Sequence, residues 1–575
     1  MEAAGRAEKS RNKTPTLRLS RAAQLPQCTN CLACSEDGSY LSLGHSHGLS
    51  LWSASSLICV AEWLQDKLEI TSIQMTRMTG TTYLLGTIDD MGVARVFAYH
   101  CDKIHLLSVI NIMENINKRS ICLTFELSEG GHYGAASIMC SGAVWLEVYI
   151  FPLEAWLKEL KEAGPQEQDS KSSEQMHVKW SPPSVTIKIR PPKIPAALDG
   201  PFLDDTPFDT LSLDTASSQT EVQPFNTDGG RNKETNERCC THHFLLPCSH
   251  FLVDSKTKSH PAELPVAVCV WWGGRHNLHQ YFLRKTQIKT PANVDPKPDV
   301  WWPTSKKILC SAVTRCTRYV ALGLDDALVC VRDRQTGFPS SVVSVSATDS
   351  AFVRMQFVDY WPVFTDSQTS TASQVHLLVV CKSGAIHKVI TERGRQTSTL
   401  LLTERPKDSK DLPTVTAPVP LLQSLLLVVQ RNGKMFVQDV VNKTTVCFLR
   451  PPSTHLIATP CNPVYALNAK QQTLFIRGDQ VPMDSVSSNQ DNQSQLFRFH
   501  FGKSDLFMQY HISLPDSPQH QKTLRFDTME EMCNLYLQQR ALSVDERNNA
   551  IRQTWKKLQE TAEISHKRQS SSADN

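Results

Sequence analysis

Cys31 to Trp63 reads CLACSEDGSYLSLGHSHGLSLWSASSLICVAEW, and its punctuation decides the fold. A short strand runs into a turn at Asp37-Gly38, Ser39 to Gly44 forms a strand of small residues, and His47-Gly48 supplies a second turn. Leu49 to Trp52 is a third strand, Ser53 to Ser56 turns the chain again, and Leu57 to Trp63 is a fourth. Four short antiparallel strands within about 33 residues make one propeller blade. Such a sheet cannot bury its own faces and is stable only when stacked against copies of itself.

The same grammar returns at Lys307 to Val345, where Tyr319-Val320-Ala321-Leu322-Gly323 aligns with Tyr40-Leu41-Ser42-Leu43-Gly44 and Leu328 to Asp333 aligns with Leu49 to Ser53. Where a WD repeat carries Trp-Asp at the end of its third strand, these two units carry Trp52-Ser53 and Arg332-Asp333, so both are degenerate. Weaker copies fill the intervals: Tyr83 to Tyr99, Ile121 to Ile150 around Ser141-Gly142, Val266 to Leu283 around Gly273-Gly274, and Val375 to Val389 around Ser383-Gly384. Leu425 to Val437 turns on Asn432-Gly433, a strong hairpin signal, and Val464 to Leu467 pairs with Leu474 to Arg477. These are eight units at spacings of about 35 to 50 residues, apart from one large insert. The expected fold is all-β: a WD40-like propeller, a single ring of seven or eight degenerate blades, in which the first and last units share strands to remove free edges.

The propeller is expected over 27–162 and 239–510. Between them, 163–238 changes to Pro, Ser, Thr, Asp, Glu and Gln, the composition of a disordered insert, interrupted by a short strand at Ser184 to Ile189. Within it, PFLDDTPFDTLSLD (Pro201 to Asp214) interleaves Phe and Leu with Asp, as in a peptide that orders on a partner, although a solvated loop has the same composition. Residues 1–26 read as a disordered basic tail, with Arg6, Lys9, Arg11, Lys13, Arg18 and Arg21 against Glu2 and Glu8; a mitochondrial transit peptide is the alternative. At the other end the period becomes helical. Capping boxes at Thr528 to Glu531 and Ser543 to Glu546 open a helix pair expected over 524–567, ahead of a disordered tail at 568–575. The second helix carries Ile551, Trp555, Leu558 and Ala562 on one stripe, which either docks on the ring or presents Trp555 and Leu558 to a partner.

Composition narrows the function. A net charge of only +3 gives no field for nucleic acid or anionic lipid, so the expected partners are proteins. The longest apolar runs, Val266 to Trp272 and Leu425 to Val429, are far short of the roughly 20 residues of a spanning helix, so no membrane insertion is expected. No secretory apolar core is seen, so the 18 Cys read as free thiols in a reducing compartment, and Asn12, Asn442 and Asn492 as chance glycosylation matches.

No phosphate loop, metalloprotease or nucleophile-elbow motif is present, so no catalytic residue, no cofactor and no metal ligand is assigned, and the chain is read as a non-enzyme. Two clusters have ligand-like residues. Cys28, Cys31 and Cys34 lack a second pair at zinc-ribbon distance and run into a blade strand, where small thiols pack well. Cys239, Cys240, His242, His243, Cys248 and His250 are denser, yet adjacent Cys-Cys and His-His pairs cannot readily all face one ion, and Phe244 to Leu246 reads as a strand.

The degenerate blades, the insert after the third unit, HHFLLPC (His242 to Cys248) followed by VAVCVWWGGRHNLHQY (Val266 to Tyr281), and YVALGLDDALVCVRDRQTG (Tyr319 to Gly337) together resemble the family of WD repeat-containing protein 93. The resemblance implies a component of motile cilia and flagella, in a projection of the axonemal central apparatus, bound to other large scaffold proteins. The expected function is a non-catalytic scaffold for protein-protein contacts in the cytoskeleton of the axoneme. The alternatives are a mitochondrial accessory protein of the respiratory chain and a cytoplasmic trafficking scaffold.

Overall fold

Each of the eight units expected from the sequence is a separate sheet. The structure, a computed structural model, describes residues 14–111, 120–163, 179–192, 240–247, 264–283, 295–334, 339–345, 352–358, 375–391, 397–420, 422, 424–481, 494–510 and 556. The chain divides into two compact units, Met1–Ile512 and Ser513–Asn575, and the first contains the sheets. The helix pair expected over 524–567, with its Trp555 and Leu558, lies outside the described residues except for Lys556, which is helical. The insert peptide 201–214 and the tail 568–575 also lie outside them. Among the described residues no helix is long and apolar enough to cross a membrane.

Blade 1 is Cys31–Cys34, Tyr40–His45, Gly48–Ser53 and Cys59–Leu64, hydrogen-bonded in that order. Blade 2 follows with Ile70–Thr79, Thr82–Asp89, Ala94–His100 and Lys103–Val109, and blade 3 with Ser120–Leu127, Tyr133–Cys140, Ala143–Ile150 and Ser184–Ile189. Blade 4 starts at Cys240–Leu245, blade 5 at Ile308–Val313, blade 6 at Phe352–Phe357 and blade 7 at Pro413–Pro418. In blade 8 the first strand is split into His455–Ile457 and Tyr465–Asn468, both paired to Thr473–Gln480, which pairs with Ser494–His500.

The ring closes because every sheet shares a core with the next. Among the described residues, eight apolar clusters occupy the eight interfaces. One joins blades 1 and 2 through Leu49, Leu51, Ile70 and Phe97. Another joins blade 8 back to blade 1 through Phe475, Leu496, Leu41 and Leu43. Burying both faces of each sheet accounts for strands such as Ala267–Trp272 that are apolar throughout rather than alternating.

Close approach between blades uses glycine on the second strand. A Cβ on Gly44 would lie 2.5 Å from Cys31 Sγ and 2.6 Å from Ile70 Cγ2 of the next blade. One on Gly323 would lie 2.6 Å from Cys310 Sγ and 3.0 Å from Phe352. The internal alignment of Tyr40 to Gly44 with Tyr319 to Gly323 thus reflects one repeated packing device. Gly44→Ala and Gly323→Ala are each expected to destabilise the ring by about 1 to 3 kcal/mol, because stem atoms of the neighbours must move. The midpoint of urea unfolding reads this, and an unchanged midpoint would show that the pits are slack.

Three expectations are corrected. Residues 1–26 are not wholly a disordered tail: Thr16–Leu17 pairs in parallel with the outer edge of blade 7, and Arg21–Gln24 pairs antiparallel with Ser494–His500 as the outer strand of blade 8. The physical reason is that the last blade supplies only three positions of its own, and the basic segment satisfies its open edge. The insert 163–238 does not follow a finished blade, since Ser184–Ile189 returns to complete blade 3. And Leu153–Glu162, assigned to the propeller without a helix, is an α-helix that buries Leu153, Trp156 and Leu160 against blades 2 and 3.

Candidate protein-interaction face

The first strands of the blades pack against one another around the ring: Cys31–Cys34 on Ile70–Thr79 and on Tyr465–Asn468, Ile70–Thr79 on Ser120–Leu127, and Ile308–Val313 on Phe352–Phe357. They therefore line its central channel. Five of them carry one residue more than their partner at the same point, near the strand start. Thr71, Leu123, Leu309, Val353 and Thr414 each fall at a register shift and oppose no residue of the second strand. A bulge of this kind bends the strand and re-aims the extra side chain. Because all five sit at the beginning of an inner strand, they lie at one mouth of the channel, the mouth that also carries the turns between second and third strands.

Three of the five are large, apolar and exposed: Leu123 at 37%, Leu309 at 36% and Val353 at 62%. Leu456, on the split inner strand of blade 8, adds a fourth at 62%. An apolar side chain on an inner strand packed between two blades is ordinarily buried, so four exposed ones near one mouth form a collar that the core does not require.

Between blades 2 and 3 the same mouth deepens into a cleft of about 520 Å³, lined by Thr71, Ile88 to Gly92 and Ile121 to Glu126. Asp89 is occupied there: it accepts from Val93 N at 2.7 Å and from Arg95 at 2.5 Å. Asp90 is exposed beside it. Glu126, at the end of the lining strand, opposes Ala135 and turns its side chain to the blade 4 side, with burial pushing its carboxyl above the usual range and His243 opposing that rise. His242 Nε2 lies 3.3 Å from Glu126 Oε2 without the alignment of a hydrogen bond. Burial lowers His242 and His243 to about 4, so both rings are neutral.

The opposite mouth is polar. Glu36 accepts from Thr76 Oγ1 at 2.8 Å, Arg315 lies 3.9 Å from Glu129, and these residues share a second cleft of about 310 Å³. Nearby, Asp37 joins blades 1 and 2. Burial favours its neutral form, but Ser35, Tyr83 and both the amide and hydroxyl of Ser39 donate to it and bring its pKa down to about 2.

The thiol and imidazole clusters are taken apart by the strands that carry them. Cys31 packs in the core between blades 1 and 2, and Cys34 in the core between blades 8 and 1, on opposite faces of one strand. Burial pushes both thiols up to about 12, which disfavours the thiolate a metal would need. Cys28 is exposed ahead of them. In the second cluster, Cys240 donates to Ser137 of blade 3 at 3.3 Å, His242 faces Glu126 of blade 3, and His243 bonds Ser311 of blade 5 at 2.7 Å. Cys239, Cys248 and His250 lie outside the described residues. The collar was not anticipated from the sequence. A bulge is a property of pairing, and Leu123, Leu309 and Val353 each look like ordinary strand residues until the partner is known.

A family model described as WD repeat-containing protein 93 matches residues 29–329, just over half of the 575 residues. Among solved structures the chain is similar to Sqt1 of Saccharomyces cerevisiae, at 9% identity and a TM-score of 0.42 over 84% of this chain and 99% of that one. It is also similar to the C-terminal WD40 domain of Sif2, at 8% identity and 0.43 over 85% and 99%. A third is Sqt1 of Chaetomium thermophilum bound to the N-terminus of ribosomal protein L10, at 11% identity and 0.43 over 83% and 97%. The ring is established by its own sheet order and by its eight shared cores.

Proposed function

Because the chain belongs to the family of WD repeat-containing protein 93, we propose that this ring is a structural component of the axonemal central apparatus in motile cilia and flagella. In this reading it is a non-catalytic scaffold that holds other large axonemal proteins. The observation that carries the scaffold reading is the collar: four exposed apolar side chains, Leu123, Leu309, Val353 and Leu456, held on rigid inner strands at one mouth. Rigid presentation lowers the entropy cost of association, because the ring fixes the contact residues before the partner arrives. The axonemal part of the reading rests on the family.

A tagged copy expressed in ciliated cells tests both parts. The expected result is a signal along the axoneme that stays with the detergent-extracted fraction. The double variant Leu309→Asp, Val353→Asp is expected to fold, since both side chains are already exposed, and to lose axonemal retention by roughly tenfold or more. A diffuse signal from the unaltered chain would sink the axonemal part. Undiminished retention of the variant would remove the collar as the contact. Cleavage after residue 27, as the mitochondrial alternative requires, would strip away the strand Arg21–Gln24 and the buried Leu25.

A further inference from the structure

The seam where the chain closes on itself carries like charges without a counter-charge. Arg21, on the outer strand of blade 8, stands directly opposite Arg498, and like charges in that position weaken a strand pair. Arg498 donates from Nη1 to the carbonyls of Ala54 and Ser55 in blade 1, at 3.2 and 2.7 Å, while its Nε is buried without a hydrogen bond. Burial, and then the charge of Arg21, depress the pKa of that guanidinium. Two residues along the same strand, His500 is depressed by burial and by the positive charges of Lys503 and Arg498. Among the described residues no carboxylate pairs with Arg18, Arg21 or Arg498.

We propose that Ser20 is a phosphorylation site and that its phosphate locks the closing strands of the ring by pairing with Arg21 and Arg498. Ser20 is exposed in the link between Thr16–Leu17 and Arg21–Gln24. Its amide donates to the Arg498 carbonyl at 2.8 Å, although Arg21 is the residue in register there. Two consecutive residues thus oppose one, as in a bulge, which turns Ser20 to the side of the arginine pair. The packing of the neighbours agrees. Leu19 lies against the core between blades 7 and 8, whereas Ala23 and Leu25 enter the core between blades 8 and 1. Regular alternation would set all three on one face, so the parity shifts between Leu19 and Arg21. Arg18 and Arg21 also flank the serine with the basic residues that one class of protein kinase selects. The phosphoryl group comes from a nucleoside triphosphate. The bond from Ser20 Oγ to phosphorus forms as the bond to the departing nucleoside diphosphate breaks, and the hydroxyl proton passes to the base of the kinase. The resulting dianion offers guanidinium groups the charge-assisted, bidentate acceptors that they now lack.

Mass spectrometry of the full chain recovered from cells that express it, with phosphatases inhibited and a protease that spares arginine, is expected to find phosphate on Ser20. Full coverage of that peptide without phosphate would overturn the proposal. The lock itself is read by hydrogen exchange on the full chain made with phosphoserine at position 20. Exchange of the backbone amides of residues 21–25 is expected to slow by about tenfold relative to the unmodified chain, while that of blade 4 stays the same. In Arg21→Gln, which removes an exposed side chain and leaves the strand paired, the slowing caused by phosphate is expected to shrink to about threefold or less. Equal exchange with and without the phosphate would overturn the proposal, and so would a slowing that persists undiminished in Arg21→Gln.

Discussion

A chain lacking residues 1–25 is expected to fail to form a closed ring, whereas one lacking 1–13 is expected to unfold like the full chain. The two short strands in the difference hold two neighbouring blades at once. Arg21–Gln24 completes blade 8 by pairing with Gln495 to Arg498, and Thr16–Leu17 lies along Phe448–Leu449 of blade 7. Leu17 and Leu25, each 6% exposed, enter the cores between blades 7 and 8 and between blades 8 and 1. Losing a buried leucine costs about 2 to 5 kcal/mol, so the pair alone approaches the roughly 5 to 15 kcal/mol by which a typical domain is stable. Two open strand edges, Thr444–Leu449 and Ser494–His500, would also be left for aggregation. Size-exclusion chromatography and thermal unfolding of the two truncations decide the matter. A monomeric, cooperatively unfolding chain without 1–25 would show that the latch is dispensable.

The second large effect is expected from Trp156→Ala. Trp156 is fully buried, stacks on Phe151 with ring centroids 5.3 Å apart, and donates from Nε1 to the carbonyl of Ser181 at 2.7 Å. Glu159 holds the same turn, accepting from the Ser181 amide at 3.1 Å and hydroxyl at 2.5 Å. The helix Leu153–Glu162 thereby positions the chain for its return as the outer strand Ser184–Ile189. Truncation to Ala leaves a large cavity and an unanswered carbonyl, at an expected cost of about 3 to 5 kcal/mol in urea unfolding. Trp156→Phe should fall between the two, since it restores the ring but not the donor. A cost below about 1 kcal/mol for the Ala variant would mean that the helix packs loosely on the blades.

The blades were legible because turns and small residues recur at fixed places: Asp37-Gly38 and Asn432-Gly433 are turns with left-handed glycines at φ +73° and +80°, and Gly44 and Gly323 occupy matching interface pits. The closing strands were not. Thr16–Leu17 is too short for any period, and Arg21–Gln24 is exposed along most of its length, so neither shows the alternation of a half-buried strand. The helix was hidden for the opposite reason. Leu153, Trp156 and Leu160 do have helical spacing, but they directly follow an apolar strand, and a short apolar stretch next to a blade reads as more of the blade. As for the site, the sequence pointed to protein partners through missing chemistry. The collar and the cleft arise from register and from the meeting of strands far apart in the chain, which residue spacing does not encode.

The latch also sets an order of events during synthesis. Ala22 pairs with Phe497, so nearly the whole ring separates the strand made among the first from the edge it must find. While the ribosome extends the chain, that segment has no partner, and blades 1 to 7 can stack only as an open arc with exposed faces at both ends. Closure is a late, long-range event, slow by the entropy of the loop it must shut. The growing arc is therefore a natural client for whatever shields apolar surface on nascent chains, until the last blade emerges and takes up the first strand made.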